Sequence, residues 1–217
     1  MDLNNKLVEV TTGVTDFTLA IVAVMVVIQL WRLHSLNHWK VALWCSVVGL
    51  IAIAALFGGF VHTFELSADS RQMLWLPINL ALGLAVAITG LGAIYDFYGK
   101  ESAQKLLLVA LGIGIAFFLL TLLLAKGFIA FVVYQAVVMF GVITAYLILA
   151  IRKQLHGAGI IASAVGLNMV AAMIQQSSLS ITLVVPFDHN GLFHLIQMVA
   201  IYVLGYGLKI GLKKCNQ

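Results

Sequence analysis

The stretch PFDHNGLFHLIQ, residues 186–197, gathers two imidazoles (His189, His194), a carboxylate (Asp188) and two amides (Asn190, Gln197) where the last long apolar run begins. Imidazole is the side chain suited both to moving a proton near neutral pH and to ligating zinc. On a helix, Asn190 and His194 are four apart and share a face, with Gln197 three further on. His189 and His194 diverge by roughly 140° if both are helical. Asp188 and Asn190 are the candidate N-caps after Pro186. A helix starting at Asp188 splays His189 away from His194, whereas one starting at Asn190 leaves His189 free to swing inward. His62, in GGFVHTF, is the other histidine within an apolar run. His62, His194 and His189 together reach the three-ligand count of a catalytic zinc site that keeps water in its fourth position. Asn79 and Asn190 are the candidates for orienting that water.

Other polar side chains fall at a similar depth. Asn79 follows Pro77, Tyr134 and Gln135 lie in the fifth apolar run, and Gln175 and Gln176 lie in the sixth. Thr121 is the only counterpart in the fourth run, and Asn168 is the main polar residue of the opposite halves. A single amide of this kind usually joins two helices by a hydrogen bond worth about 0.6–2 kcal/mol. Amides and imidazoles on five helices at one level instead point to a pocket lined by Tyr134, Gln135, Gln175 and Gln197, because polar groups in hydrocarbon face a bundle interior or a wet cavity.

The elements that must carry these groups follow from composition. The 217 residues are 63% hydrophobic and 9% charged, too apolar for a soluble domain. Uncharged runs of about 20 residues recur, each long enough to cross a bilayer. Seven spans are expected, at 14–33, 41–64, 73–97, 106–125, 128–151, 158–184 and 190–212, forming one all-α seven-transmembrane domain over 1–217. The runs are continuous rather than alternating, which argues against a β-barrel. Asp2, Glu9 and Asp16 spoil a basic signal-peptide leader, so the first run is read as a span. Gly157, Gly159, Ser163 and Gly166, like Gly207 and Gly211, form small-residue faces suited to close helix packing.

Lys and Arg are uneven. Arg32, Lys40, Lys100, Lys105, Arg152, Lys153, Lys209, Lys213 and Lys214 fall on one side, and Lys6, Arg71 and Lys126 on the other. The asymmetry puts the C-terminus in the cytoplasm and the N-terminus outside. The acids lie mostly the other way, with Asp96 and Glu101 inside. No basic stripe with interleaved aromatics suggests nucleic acid. Cys45 and Cys215 form no recognisable disulfide framework.

On GGFVHTF around His62 and NGLFHLIQMVAIYVL around His194, the chain resembles the CREST superfamily of seven-helix membrane hydrolases, which includes alkaline ceramidases and PAQR-type receptors. The resemblance covers the whole chain as a seven-span plan and is closest to bacterial ceramidase-like proteins. It implies a zinc held by three histidines, whose water attacks an amide or ester of a lipid. His62 matches the family's second-helix histidine, and His194 the second histidine of its HxxxH motif. The first histidine of that motif is Asn190 here, the serine four residues before His62 is Gly58, and Asn79 is the polar residue nearest the helix-three aspartate. Two of the five positions are kept. Asn is a poor zinc ligand, which leaves His189 or Glu65 to complete the set.

These observations give three expectations. The first is a zinc-dependent hydrolase of a membrane lipid amide or ester in the bacterial inner (plasma) membrane, with an outward-facing pocket. The second is a non-catalytic lipid or small-ligand binder on the same fold. The third is a haem-binding electron carrier with His62 and His194 as axial ligands. A retinal protein is disfavoured, because Lys209 lies at the inner end of the last run rather than at its middle.

Overall fold

The computed structural model describes residues 2–124 and 127–214. It is helical almost throughout: α1 Leu7–Trp31, α2 His38–Thr63, α3 Ala68–Tyr98, α4 Lys100–Leu123, α5 Gly127–Ile151, α6 Ala158–Gln175 and α7 His189–Lys214, with the short strands β1 Ile181–Thr182 and β2 Pro186–Phe187 before α7. All seven helices are long and apolar enough to cross a membrane. Lys126 and Cys215 lie outside the described residues.

Local chemistry sets the boundaries. Asn37 and Ser67 cap α2 and α3, their side-chain oxygens accepting the backbone N–H of Lys40 and Ser70. α3 and α4 are separated by one residue, Gly99, at φ +87°. A side chain at that angle is strained, so glycine makes the reversal possible in a single step.

The helices close into a ring. α1 packs on α2, α2 on α3, α5 on α6, α6 on α7, and α7 back on α1. α3 also touches α5 directly, which leaves α4 outside against these two. The α6–α7 crossing is close because Gly157 faces Gly207 and Gly211; a Cβ at Gly157 would sit 2.3 Å from the Gly207 carbonyl oxygen. Gly159 and Gly166 meet α5 side chains loosely instead.

Several boundaries differ from the sequence expectation, with α3 and α4 starting about a turn or more early and the largest differences at the start of α1 and the end of α6. α1 starts at Leu7 rather than 14, which carries Glu9, Thr11 and Thr12 onto the helix. α6 stops at Gln175 although the apolar run continues to 184. Beyond it the Ser177 hydroxyl donates to the Ile174 carbonyl and accepts from the Leu179 N–H. Serine offers the backbone such local partners in place of helical ones. The chain then forms an antiparallel pair, Ile181 with Phe187 and Thr182 with Pro186. Hydropathy reads a β-branched apolar hairpin and a helix end alike.

Lys40, counted among loop charges in the sequence, is buried. Its ammonium pairs with Asp96 Oδ1 at 2.5 Å, and Asp96 Oδ2 accepts the Tyr146 hydroxyl at 2.7 Å. This cluster ties α2, α3 and α5 together at the end of the bundle where α2 begins.

Candidate functional site

At the other end, where α1 begins, the ring encloses a cavity of about 730 Å³ whose wall draws on all seven helices. Its polar residues include Asp16, His62, Asn79, Gln135, Gln175, His189, Asn190, His194 and Gln197, and its apolar part is built from residues such as Leu19, Val47, Ile51, Val86, Ile201 and Leu204. A cavity of that size, mostly apolar with a few convergent polar groups, is the usual form of a small-molecule site.

Asp188 closes the start of α7. Its Oδ1 accepts the Gly191 N–H and the Thr12 hydroxyl, each at 2.8 Å. Burial pushes this carboxyl up, but the two hydrogen bonds and the nearby His189 and His62 outweigh it and hold it below the ordinary Asp range. The helix therefore starts at His189 with Asp188 as its cap, and His189 still belongs to the cavity wall.

One turn further, His194 is gripped on both sides by α1. Its Nδ1 lies 3.0 Å from Thr15 Oγ1, and its Nε2 lies 3.1 Å from Asp16 Oδ1. The Thr15 hydroxyl donates its one hydrogen to the Thr12 carbonyl at 2.7 Å, so it accepts from Nδ1–H. Nε2 and Asp16 Oδ1 then hold a single proton between them. Both side chains are almost fully buried. Asp16 Oδ2 has no hydrogen-bond partner. Beside it is Gly58, where a Cβ would stand 2.9 Å from Oδ2.

His62 is held separately. Its Nδ1 lies 2.8 Å from Glu9 Oε2, and its ring meets Trp75 edge-on at 6.5 Å. Asn190 Oδ1 accepts from Gln175 at 3.4 Å, and Gln197 donates to Asn168 at 3.3 Å. Tyr134 stands behind the wall: it stacks on Phe117 and donates to the Gly83 carbonyl at 3.1 Å. Glu65 borders a separate small polar depression with Asn4, Lys6, Glu9 and Arg71.

The structure thus brings His62, His189, His194, Asn79, Asn190, Gln135, Gln175 and Gln197 to one cavity. The sequence sets Asp16 among the outer acids of the first span; the structure adds its pairing with His194, and with it Glu9, Thr12 and Thr15 of α1. The signal was present, since Glu9, Thr12 and Asp16 follow helical spacing and Asp16 is an acid within an apolar span.

These residues fit a catalytic zinc poorly. Asp16 and His194 are donors of the right type, but His194 spends both ring nitrogens within the protein, His62 is turned to Glu9, and Asn190 is turned to Gln175. Among the described residues no group of three or more His, Cys, Asp or Glu is placed to hold a metal. The same engagement of His194 leaves no ring nitrogen for a haem iron.

Fold and site together define a bundle of seven helices long and apolar enough to cross a membrane, around a half-open cavity lined by both polar and apolar side chains. Over residues 11–213 the chain matches the family described as "Family of unknown function (DUF6962)", and it belongs to that family. No curated protein and no solved structure matches it.

Proposed function

We propose that this protein binds one amphiphilic molecule, a membrane lipid or a lipid-like compound, in the cavity, with its head among Asp16, His194, Asn190 and the amides and its apolar part between α1, α2, α3 and α7. The observation that supports this reading is one half-open cavity lined on one side by Asp16, His194, Asn190 and amides and elsewhere largely by apolar side chains. On the Lys/Arg asymmetry the polar end faces the outside of a bacterial plasma membrane. The test is mass spectrometry of lipids extracted from protein purified in mild detergent. Wild type retains a stoichiometric amphiphile, whereas Leu82→Trp and Ala164→Phe, which fill the cavity wall, lose it. Equal lipid content in wild type and both folded variants overturns the reading.

Hydrolysis of a lipid amide or ester is the second reading. A buried carboxylate–imidazole pair at the cavity favours it, since such pairs move protons in acyl transfer. The resemblance to the ceramidase superfamily supports it less, because the position of that family's serine is Gly58 and the Asp16 carboxylate lies against it. Product release from N-acyl and ester lipids, measured with and without added zinc, separates turnover from simple binding.

A further inference from the structure

The cavity wall is unusual in its charges. No Lys or Arg is present among the described residues that line it, so no permanent positive charge faces a phosphate or a carboxylate there; its basic side chains are His62, His189 and His194, with His62 turned to Glu9 and His194 to Asp16. Its carboxylate is Asp16, a residue 4% exposed, and only one of the two oxygens has a partner. A buried acceptor left unsatisfied costs about 1–3 kcal/mol. Native interiors rarely keep such a group, and where they do it marks a binding or catalytic role or an unseen water.

The surroundings of Oδ2 are specific. Oδ2 is buried against Gly58, whose missing side chain lets the carboxylate sit on the α2 backbone; a Cβ there would stand 2.9 Å from Oδ2. The last torsion of an Asp side chain is broad and roughly two-fold. The carboxylate can therefore tilt toward a donor in the cavity while Oδ1 stays with His194. Two further acids, Glu9 and Asp188, stand just above the wall, each with its own partners. Their field adds to the local preference for positive charge. The remaining polar wall is amide and imidazole, which can both donate and accept.

From these observations we infer that Asp16 is the anchor for the ligand's head, and that the head is a hydrogen-bond donor without negative charge: an alkyl amine or alcohol rather than a fatty acid or a phosphate ester. The inference rests on the binding reading above and narrows its ligand class. A cationic amine gains most, because it meets the bare carboxylate oxygen with a charge-assisted hydrogen bond. An anionic head brings no donor for Oδ2 and finds no Lys or Arg among the described lining residues to pair with.

The test uses the full-length protein, delipidated in non-ionic detergent at neutral pH, and three probes of equal chain length: dodecylamine, dodecanol and laurate. Native mass spectrometry counts adducts per chain, and Trp75, which lines the cavity, provides a fluorescence titration. Dodecylamine and dodecanol should each saturate at one per chain, with laurate about tenfold weaker or worse. Asp16→Asn should weaken dodecylamine by about tenfold or more, the scale of one hydrogen bond to a charged group, and leave dodecanol nearly unchanged. Laurate binding as tightly as dodecylamine overturns the inference, as does a folded Asp16→Asn variant that keeps the amine preference; in both cases the binding reading survives. If none of the three probes saturates a site, it is the binding reading that fails. Should Asp16→Asn not fold, the three-probe comparison on wild type decides alone.

Discussion

Two buried carboxylates stand at opposite ends of the bundle and are treated in opposite ways. Asp96 has a partner for each oxygen, the Lys40 ammonium and the Tyr146 hydroxyl, and neither it nor those partners line the cavity. Asp16 shares one proton with His194, leaves its second oxygen unpartnered, and belongs to the cavity wall. A closed set of charges joins helices. A set left open on a cavity keeps part of its bonding capacity for something that is not part of the chain. Burial alone does not separate the two, since both carboxylates are almost fully enclosed.

The contrast breaks most visibly at Asp96. Asp96→Ala strands the Lys40 ammonium, and removing one partner of a buried pair costs about 3–5 kcal/mol. Thermal unfolding of purified protein should show this as a large drop in midpoint. Tyr146→Phe deletes one hydrogen bond to the same carboxylate and should cost about 1.5–3 kcal/mol in the same assay. At the other end, Asp16→Asn can offer its amide N–H to His194 Nε2 and replaces the shared proton with a neutral hydrogen bond. Its stability change should be within about 1 kcal/mol, because the pair with His194 is neutral overall, no charge is stranded, and one hydrogen bond replaces another. A loss as large as that of Asp96→Ala would erase the distinction.

Smaller effects sharpen it. Asp188 is held below its unfolded value of about 3.9. A depressed carboxyl contributes stability above the unfolded pKa, and that contribution is lost as pH falls through the folded one. Asp188→Asn should therefore destabilise by a few tenths of a kcal/mol at neutral pH, the scale of a charged group at a helix N-terminus. The gap to wild type should close below about pH 4. Smallest of all is Asn190→His, which should bind zinc no more tightly than wild type while Asp16 holds His194 Nε2, as read by equilibrium dialysis. Tighter binding would show that the pair parts readily and would bring the metal-dependent hydrolase forward.

Seven helices were legible because hydrocarbon demands long apolar runs, and that demand is local in sequence. The convergence of His62, Asn79, Gln135, Gln175, Asn190, His194 and Gln197 was legible for a related reason: depth along a helix can be counted from its ends. Partners could not be counted that way. Nothing local says that His194 faces Thr15 and Asp16 rather than His62, because that depends on how far α1 and α7 are rotated. The early start of α1 hid its polar stripe, since an amphipathic first turn lowers the hydropathy by which a span is found. The end of α6 was missed for the opposite reason, as Leu183 and Val184 are apolar yet lie exposed in the loop between β1 and β2.

That early end has a mechanical side. α6 has 18 residues and α3 has 31, so at 1.5 Å per residue they measure about 27 Å and about 46 Å. A hydrocarbon layer of about 30 Å fits the first standing upright and the second only when tilted or projecting. In a bilayer the perimeter of this protein is uneven in height, lowest along α6. Headgroups beside an upright α6 would then lie level with its end, close to Gln175, Gln176 and Ser177 in the cavity wall. A bilayer thicker or thinner than α6 would thus be felt first at one side of the cavity rather than evenly around it.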